Sequence, residues 1–262
     1  MQLGCCVPIE NYELAAVLGY DFAELPAWEV QALEPRQLDA LLEKTGKTRL
    51  PIPRLNAYCT GTPAIVGDRV DDEKTRAYAR SLMEKAAALG VETIGVGAPS
   101  ARTLPSGFDL RQADCQCERF LRITAEEAAP YHITLLLEAV HSRACNYLNQ
   151  LSQAADMMRR VNLPQVSLMA DLYHMDVQGE PLETLARYAP DIRHVHVSTA
   201  EGELARGLYA EEDEAACVRA FGAIRSIGYD GTVSIEPDAS ALSEASMKTA
   251  LELMRRACRQ TG

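Results

Sequence analysis

The sequence predicts an α/β fold, a single (β/α)8 TIM barrel spanning residues 1–262, and three observations point to it. Short aliphatic and β-branched runs alternate from end to end with longer segments of helical period. Eight such runs share the 262 residues, roughly 33 per unit, which is the size of a strand-helix unit in a closed barrel of about 250 residues. The first run leads into Pro8-Ile-Glu-Asn-Tyr and lacks the glycine-rich phosphate loop that usually follows the first strand of an open doubly wound sheet.

The expected strands are Leu3 to Val7, Tyr20 to Leu25, Leu50 to Ala57, Val91 to Val96, Ile133 to Val140, Gln165 to Ala170, Ile192 to Val197 and Thr232 to Ile235. Between the third and fourth, a helix from about Asp71 to Leu89 sets Tyr78, Leu82, Ala86 and Leu89 on one face and stops at Gly90. Gly97 to Ala113, with Pro99, Pro105 and Gly107, reads as a long connection on the barrel's catalytic face. A second helix, Asn146 to Val161, aligns Tyr147, Leu151, Ala154, Met158 and Val161, and a third, Glu211 to Ile227, ends at Gly228. These apolar faces need a sheet to cover.

Composition narrows the partners. With 26 Lys+Arg against 37 Asp+Glu, the net charge is −11, and no basic run exceeds Arg159-Arg160 or Arg255-Arg256, so neither nucleic acid nor an anionic membrane is an expected partner. The eight cysteines are scattered without a CxxC pair and read as reduced, mostly buried thiols. No basic leader precedes an apolar stretch and no run is long enough to span a bilayer, so the expected location is the cytoplasm.

Catalytic groups of a (β/α)8 barrel project from the C-terminal ends of its strands. Here the fifth strand ends in Glu138, the sixth in Asp171, the seventh in His196 and the eighth in Glu236. Three carboxylates and an imidazole converging on one partly desolvated mouth would repel one another, and a divalent cation resolves the conflict. Oxygen and nitrogen ligands without thiolate suit Mn2+, Mg2+ or Co2+, with Zn2+ as an alternative. His174, three residues beyond Asp171, and His141, three beyond Glu138, are candidates to touch substrate. His194 reads as a satisfied core histidine one layer below His196, His132 as structural, and the single Trp28 as either packing or a wall over a sugar face.

The strings Leu135-Leu-Leu-Glu-Ala-Val-His-Ser-Arg, Met169-Ala-Asp-Leu-Tyr-His-Met, His194-Val-His-Val-Ser and Gly228-Tyr-Asp-Gly-Thr-Val-Ser-Ile-Glu-Pro resemble the sugar phosphate isomerase/epimerase superfamily, the xylose isomerase-like TIM barrels. Gly19-Tyr-Asp-Phe-Ala-Glu-Leu is similar to that family's second strand, and Arg102-Thr-Leu-Pro-Ser-Gly-Phe-Asp to its loop after strand four. Ketose 3-epimerases are the best-understood relatives of this kind. The resemblance implies one divalent ion, most often Mn2+ or Co2+, held by Glu138, Asp171, His196 and Glu236, with Glu138 and Glu236 as acid and base on opposite faces of the sugar and His174 on a substrate oxygen.

The expected activity is therefore that of a metal-dependent sugar or polyol isomerase or epimerase, which takes a proton from the carbon next to a carbonyl through a metal-stabilised enediolate. The sequence departs from the epimerase pattern at two substrate contacts, where Ala144 replaces a glutamate and Gly202 an arginine; Arg143 and Arg206 are the candidates to stand in. His141 occupies the place of the family's asparagine after strand five. Alternatives on the same scaffold are a keto-inositol dehydratase, an abasic-site endonuclease and a sugar-binding protein without turnover. The acidic charge and only 5 histidines fit the endonuclease poorly. The partner is a small carbohydrate, with a homo-oligomer left open.

Overall fold

The computed structural model describes residues 1–201 and 205–260. Its strands are β1 (Gln2–Cys6), β2 (Phe22–Pro26), β3 (Arg54–Asn56), β4 (Thr93–Val96), β5 (Thr134–Leu137), β6 (Val166–Asp171), β7 (Ile192–Val197), β8 (Thr199–Glu201), β9 (Ala205–Gly207) and β10 (Thr232–Ile235). Eight of them close into a barrel in the order β1-β10-β7-β6-β5-β4-β3-β2, every pair parallel. The remaining two, β8 and β9, form an antiparallel pair, from which Arg206 reaches the mouth. The eight barrel strands fall on the eight runs expected from the sequence.

Helices wrap the outside, the longest being Pro35–Thr48, Asp72–Ala88, Leu110–Ala128 and Glu244–Gln260. Asp71 and Asp109 cap two of them, their carboxylates accepting from the backbone N–H of Lys74 at 3.1 Å and of Gln112 at 2.8 Å.

Besides β5, which keeps only Thr134–Leu137 of the expected Ile133 to Val140, three elements are shorter than expected. Leu50 to Ala57 yields only the three residues of β3, because Pro51 and Pro53 have no N–H to give to a ladder. The helix expected from Asn146 begins at Leu151. Ahead of it Leu148 takes a left-handed φ of 56°, and Asn149 donates its side-chain amide to the carbonyls of Val140 and Cys145, fixing a loop. Glu211–Asp213 forms a 3-10 turn before the helix Glu214–Ser226. The connection after β4 is also less irregular than expected: Pro99–Arg102 forms one helical turn, and the helix Leu110–Ala128 starts before the expected end of the loop.

Alternate residues of each strand share a face, so the barrel interior is stacked from side chains two apart. Phe22, Leu136 and Met169 belong to a lower layer, and Glu138, Asp171 and His196 lie one residue pair nearer the mouth on their strands. Gly4 makes room for the lower layer, since a Cβ there would lie 2.2 Å from the Phe22 ring. All eight cysteines are free thiols; Cys115 is exposed, Cys258 half-buried and the other six buried. No helix among the described residues is long and apolar enough to cross a membrane.

Candidate metal centre

Four consecutive strands in space, β5, β6, β7 and β10, deliver Glu138, Asp171, His196 and Glu236 to one point, where one ligand atom from each lies within 4.8 Å of all the others. Each arrives because an apolar strand ends there. Asp171 closes β6 and also caps the helix Leu172–Gln178, its Oδ1 accepting from the N–H of Tyr173 at 2.8 Å and of His174 at 3.2 Å, which leaves Oδ2 to face the centre. The Glu138 carboxylate fits against Gly97, where any Cβ would fall 2.2 Å from Glu138 Oε2.

That contact makes a prediction. Gly97→Ala should displace the Glu138 carboxylate, weakening Mn2+ binding at least about tenfold while overpacking costs about 1–3 kcal/mol of stability. A Mn2+ titration and a urea midpoint check the two parts; unchanged Mn2+ affinity would show that Glu138 is not needed at the centre.

The two glutamates sit in different electrostatic surroundings. Burial, reinforced by the charges of Asp171 and Glu236, pushes Glu138 up to about 8, and its Oε1 is buried without a hydrogen-bond partner. For Glu236 burial acts the same way, but Arg206 and His196 outweigh it and hold the carboxyl below its usual range. Its Oε1 also accepts from Asn56 Nδ2 at 2.6 Å, and its Oε2 lies 3.1 Å from His196 Nδ1. Burial likewise opposes the charge of Asp171, yet Arg206, His174 and His196 hold it well below the usual carboxylate range.

Arg206 is the cation that the sequence could only nominate. It stands on β9, whose backbone is clamped to the loop after β10: Arg206 N donates to Asp238 Oδ2 at 3.0 Å and Asp238 N to Arg206 O at 2.8 Å. Its guanidinium bonds Asp171 Oδ2, lies 2.5 Å from Glu236 Oε2, donates to the Glu236 backbone carbonyl at 3.0 Å and packs 4.6 Å over the Tyr173 ring. The other candidate, Arg143, is exposed and makes no hydrogen bond or ion pair among the described residues. Ala144 is exposed too, and Gly202 lies outside the described residues.

His174 lies at the centre, with Nε2 3.3 Å from Arg206 Nη1, 3.6 Å from Glu138 Oε1 and 3.8 Å from Asp171 Oδ2. Burial and the nearby Arg206 bring it down to about 4 in spite of Asp171, so it stays neutral and accepts from Arg206 through Nε2. His141 is buried beside it, ring centroids 5.0 Å apart, and packs on Tyr173 at 5.7 Å. His194 is the satisfied core histidine expected, with Nδ1 2.8 Å from Thr232 Oγ1 and Nε2 2.9 Å from Glu24 Oε2. His132 sits in a turn before β5, and Trp28 lies in the helix Ala27–Ala32 after β2 with 39% of its surface exposed. Sequence reasoning gave no role to Glu24, Asn56 or Tyr173. Glu24 carried the available signal, as an acidic residue inside an otherwise apolar strand.

The donor set suits a hard divalent ion: three carboxylates, one imidazole, no thiolate and one buried carboxylate oxygen without a hydrogen bond. Those residues fit such a cation.

Comparison with known proteins agrees with the barrel fold. The family model described as "Xylose isomerase-like TIM barrel" matches residues 12–257. A ketose 3-epimerase of Arthrobacter globiformis is 29% identical over 132 residues, which cover 50% of this chain but only 44% of that enzyme's length. An L-ribulose 3-epimerase of Methylomonas sp. (strain DH-1) is 26% identical over 248 residues, covering 92% of this chain and 82% of the relative. Among solved structures, a 3-keto-D-glucoside 4-epimerase from E. coli superimposes with a TM-score of 0.78 at 20% identity, covering 98% of this chain and 99% of the other.

Proposed function

The chain belongs to the xylose isomerase-like TIM barrel family, and on that premise we propose that it is a divalent-metal-dependent epimerase or isomerase of keto-sugars or related polyols. The observation that carries this reading is the pair of glutamates, Glu138 and Glu236, set on strands three places apart around the barrel with Asp171 and His196 between them. Relatives and structural neighbours named as 3-epimerases and a 4-epimerase of keto-sugars support the substrate class.

In this reading Glu138, Asp171, His196 and Glu236 hold one divalent ion, Mn2+ before Co2+, Mg2+ or Zn2+. When bound, the ion supplies a Lewis acid that makes a C–H next to a carbonyl acidic enough for a carboxylate to act on. The protein supplies the proton transfers. Glu236, kept ionised by Arg206 and His196 and oriented by Asn56, is the base on one face; Glu138, which would be ionised while holding the ion, takes up a solvent proton and returns it from the other face. The roles exchange for the reverse reaction. Arg206, with His174 on one side and Tyr173 beneath, binds substrate oxygens in place of the arginine that the family carries six residues after the histidine ligand. His141 completes the wall of that subsite.

Turnover of ketoses in D2O with the Mn2+-loaded protein tests the proposal. The expected result is one solvent deuteron at the inverted carbon of the product, seen by NMR. No deuterium at C2, C3 or C4 of any ketose in a broad panel would overturn it. A conjugated enone formed from 2-keto-inositol would move the assignment to a dehydratase.

A further inference from the structure

Beneath the centre lies a buried carboxylate to which the proposed mechanism assigns no part. Glu24, the middle residue of β2, is 1% exposed, and three groups converge on it. Ser234 Oγ lies 2.6 Å and His194 Nε2 2.9 Å from its Oε2, while His196 Nε2 lies 3.1 Å from its Oε1. The opposite nitrogen of His196, Nδ1, faces Glu236 at 3.1 Å and Asp171 at 4.0 Å. His196 therefore spans two carboxylate groups, one on each side of its ring.

An ionised carboxylate can only accept hydrogen bonds. Three hydrogen-bonding groups crowd the two oxygens of Glu24, and a carboxylate that accepts from all three satisfies each of them. Every group pointing at it must then bring a hydrogen, and His196 brings Nε2–H. A neutral imidazole with its hydrogen on Nε2 has its lone pair on Nδ1, the nitrogen that faces the three other candidate ligands. A second arrangement competes for the same ring, because Cys6 Sγ, 3.7 Å from His196 Nε2, forms with Glu24 and His196 another group able to hold an ion. A hydrogen on Nε2, given to Glu24, closes that arrangement to metals.

We propose that Glu24 is a positioning residue for the metal centre: by accepting Nε2–H it fixes the ring orientation and tautomer of His196 so that Nδ1 is the ligand atom. The proposal rests on the metal-centre reading above. It follows the general behaviour of metal-bound imidazoles, whose second nitrogen is oriented by a carboxylate or carbonyl. His194 and Ser234 hold Glu24 in turn, so a strand position that looks like core sets the chemistry one layer above it.

Two measurements test it. In protein labelled with 15N histidine, the expected signal is a hydrogen-bonded proton on Nε2 of His196, present with and without Zn2+ and assigned by its loss in His196→Gln. Absence of a proton on that nitrogen in the wild type overturns the proposal, without need of any variant. The second is the Mn2+ affinity of Glu24→Gln. Its amide oxygen is favoured on the side where two donors meet, which turns the NH2 group toward His196 Nε2 and demands the other tautomer. Mn2+ binding should weaken about 10- to 100-fold, while Ser234→Ala, which keeps the carboxylate, stays within about threefold. A folded Glu24→Gln with wild-type Mn2+ affinity overturns the proposal. A wild type that binds no divalent ion would sink the metal-centre reading itself, and with it a positioning role for Glu24.

Discussion

Glu236→Gln should reduce kcat by about 10^3-fold or more, with the fold retained. The substitution removes the base without removing volume. The amide can still meet Asn56 Nδ2 and His196 Nδ1, the groups now 2.6 Å and 3.1 Å from its two oxygens. What it loses is the negative charge that Arg206 and His196 are arranged around. General acid-base catalysis is worth about 10^2 to 10^4 in rate, and losing a charged ligand adds to that. Steady-state turnover, exchange of the substrate C–H with D2O and a circular dichroism melt together check it. Loss of exchange with an unchanged melt is the expected pattern. Activity within tenfold of wild type would place the base elsewhere, with His174 the nearest other candidate.

That prediction concerns a residue the sequence exposes, and the reason is geometric. In a parallel barrel every strand delivers its last inward side chain to the same mouth, so a polar residue closing an apolar run is visible without coordinates. Glu138, Asp171, His196 and Glu236 all meet that test. Glu24 does not, since Leu25 follows it within the strand; its partners are separated from it by 170 to 210 positions in the chain, and no local pattern says that one carboxylate will lie under a histidine and another beside it. Arg206 was legible only as a spare cation. Its entry into the site depends on the β8–β9 pair, whose short strands carry no alternation, and on the clamp to Asp238. Arg143 is equally charged and nearer in sequence to Glu138, yet its loop turns it outward, so charge and spacing alone do not separate the two. The shortening of β3 was foreseeable in kind, since two prolines lie in the run. The late start of the helix at Leu151 was not, because Tyr147 shares the helical stripe even though Asn149 competes for the backbone.

Chelating the metal should abolish turnover, lowering it about 10^3-fold or more, and the affinity for the ion that restores it should rise steeply with pH. The sign follows from the ligands' protons. Glu138, pushed up to about 8 by burial and its carboxylate neighbours, is mostly protonated at pH 7. Burial works against a charge on His196, but the carboxylates of Glu24 and Glu236 prevail and hold it as imidazolium well above the usual range. Ligation needs both groups deprotonated, so uptake of the ion releases about one to two protons at pH 7, and the apparent affinity rises by about 10- to 100-fold per pH unit below pH 8. Above that point the contribution of Glu138 fades, since it is already ionised. Calorimetric Mn2+ titrations in buffers of different ionisation heat measure the proton count directly. A pH-independent affinity between pH 6 and 8 would mean that the ion enters without Glu138, leaving that carboxyl free to act as an acid alone. Arg206 explains why the metal-free protein should stay folded throughout: its guanidinium already bridges Asp171 and Glu236, so part of the repulsion in the mouth is offset by the chain itself.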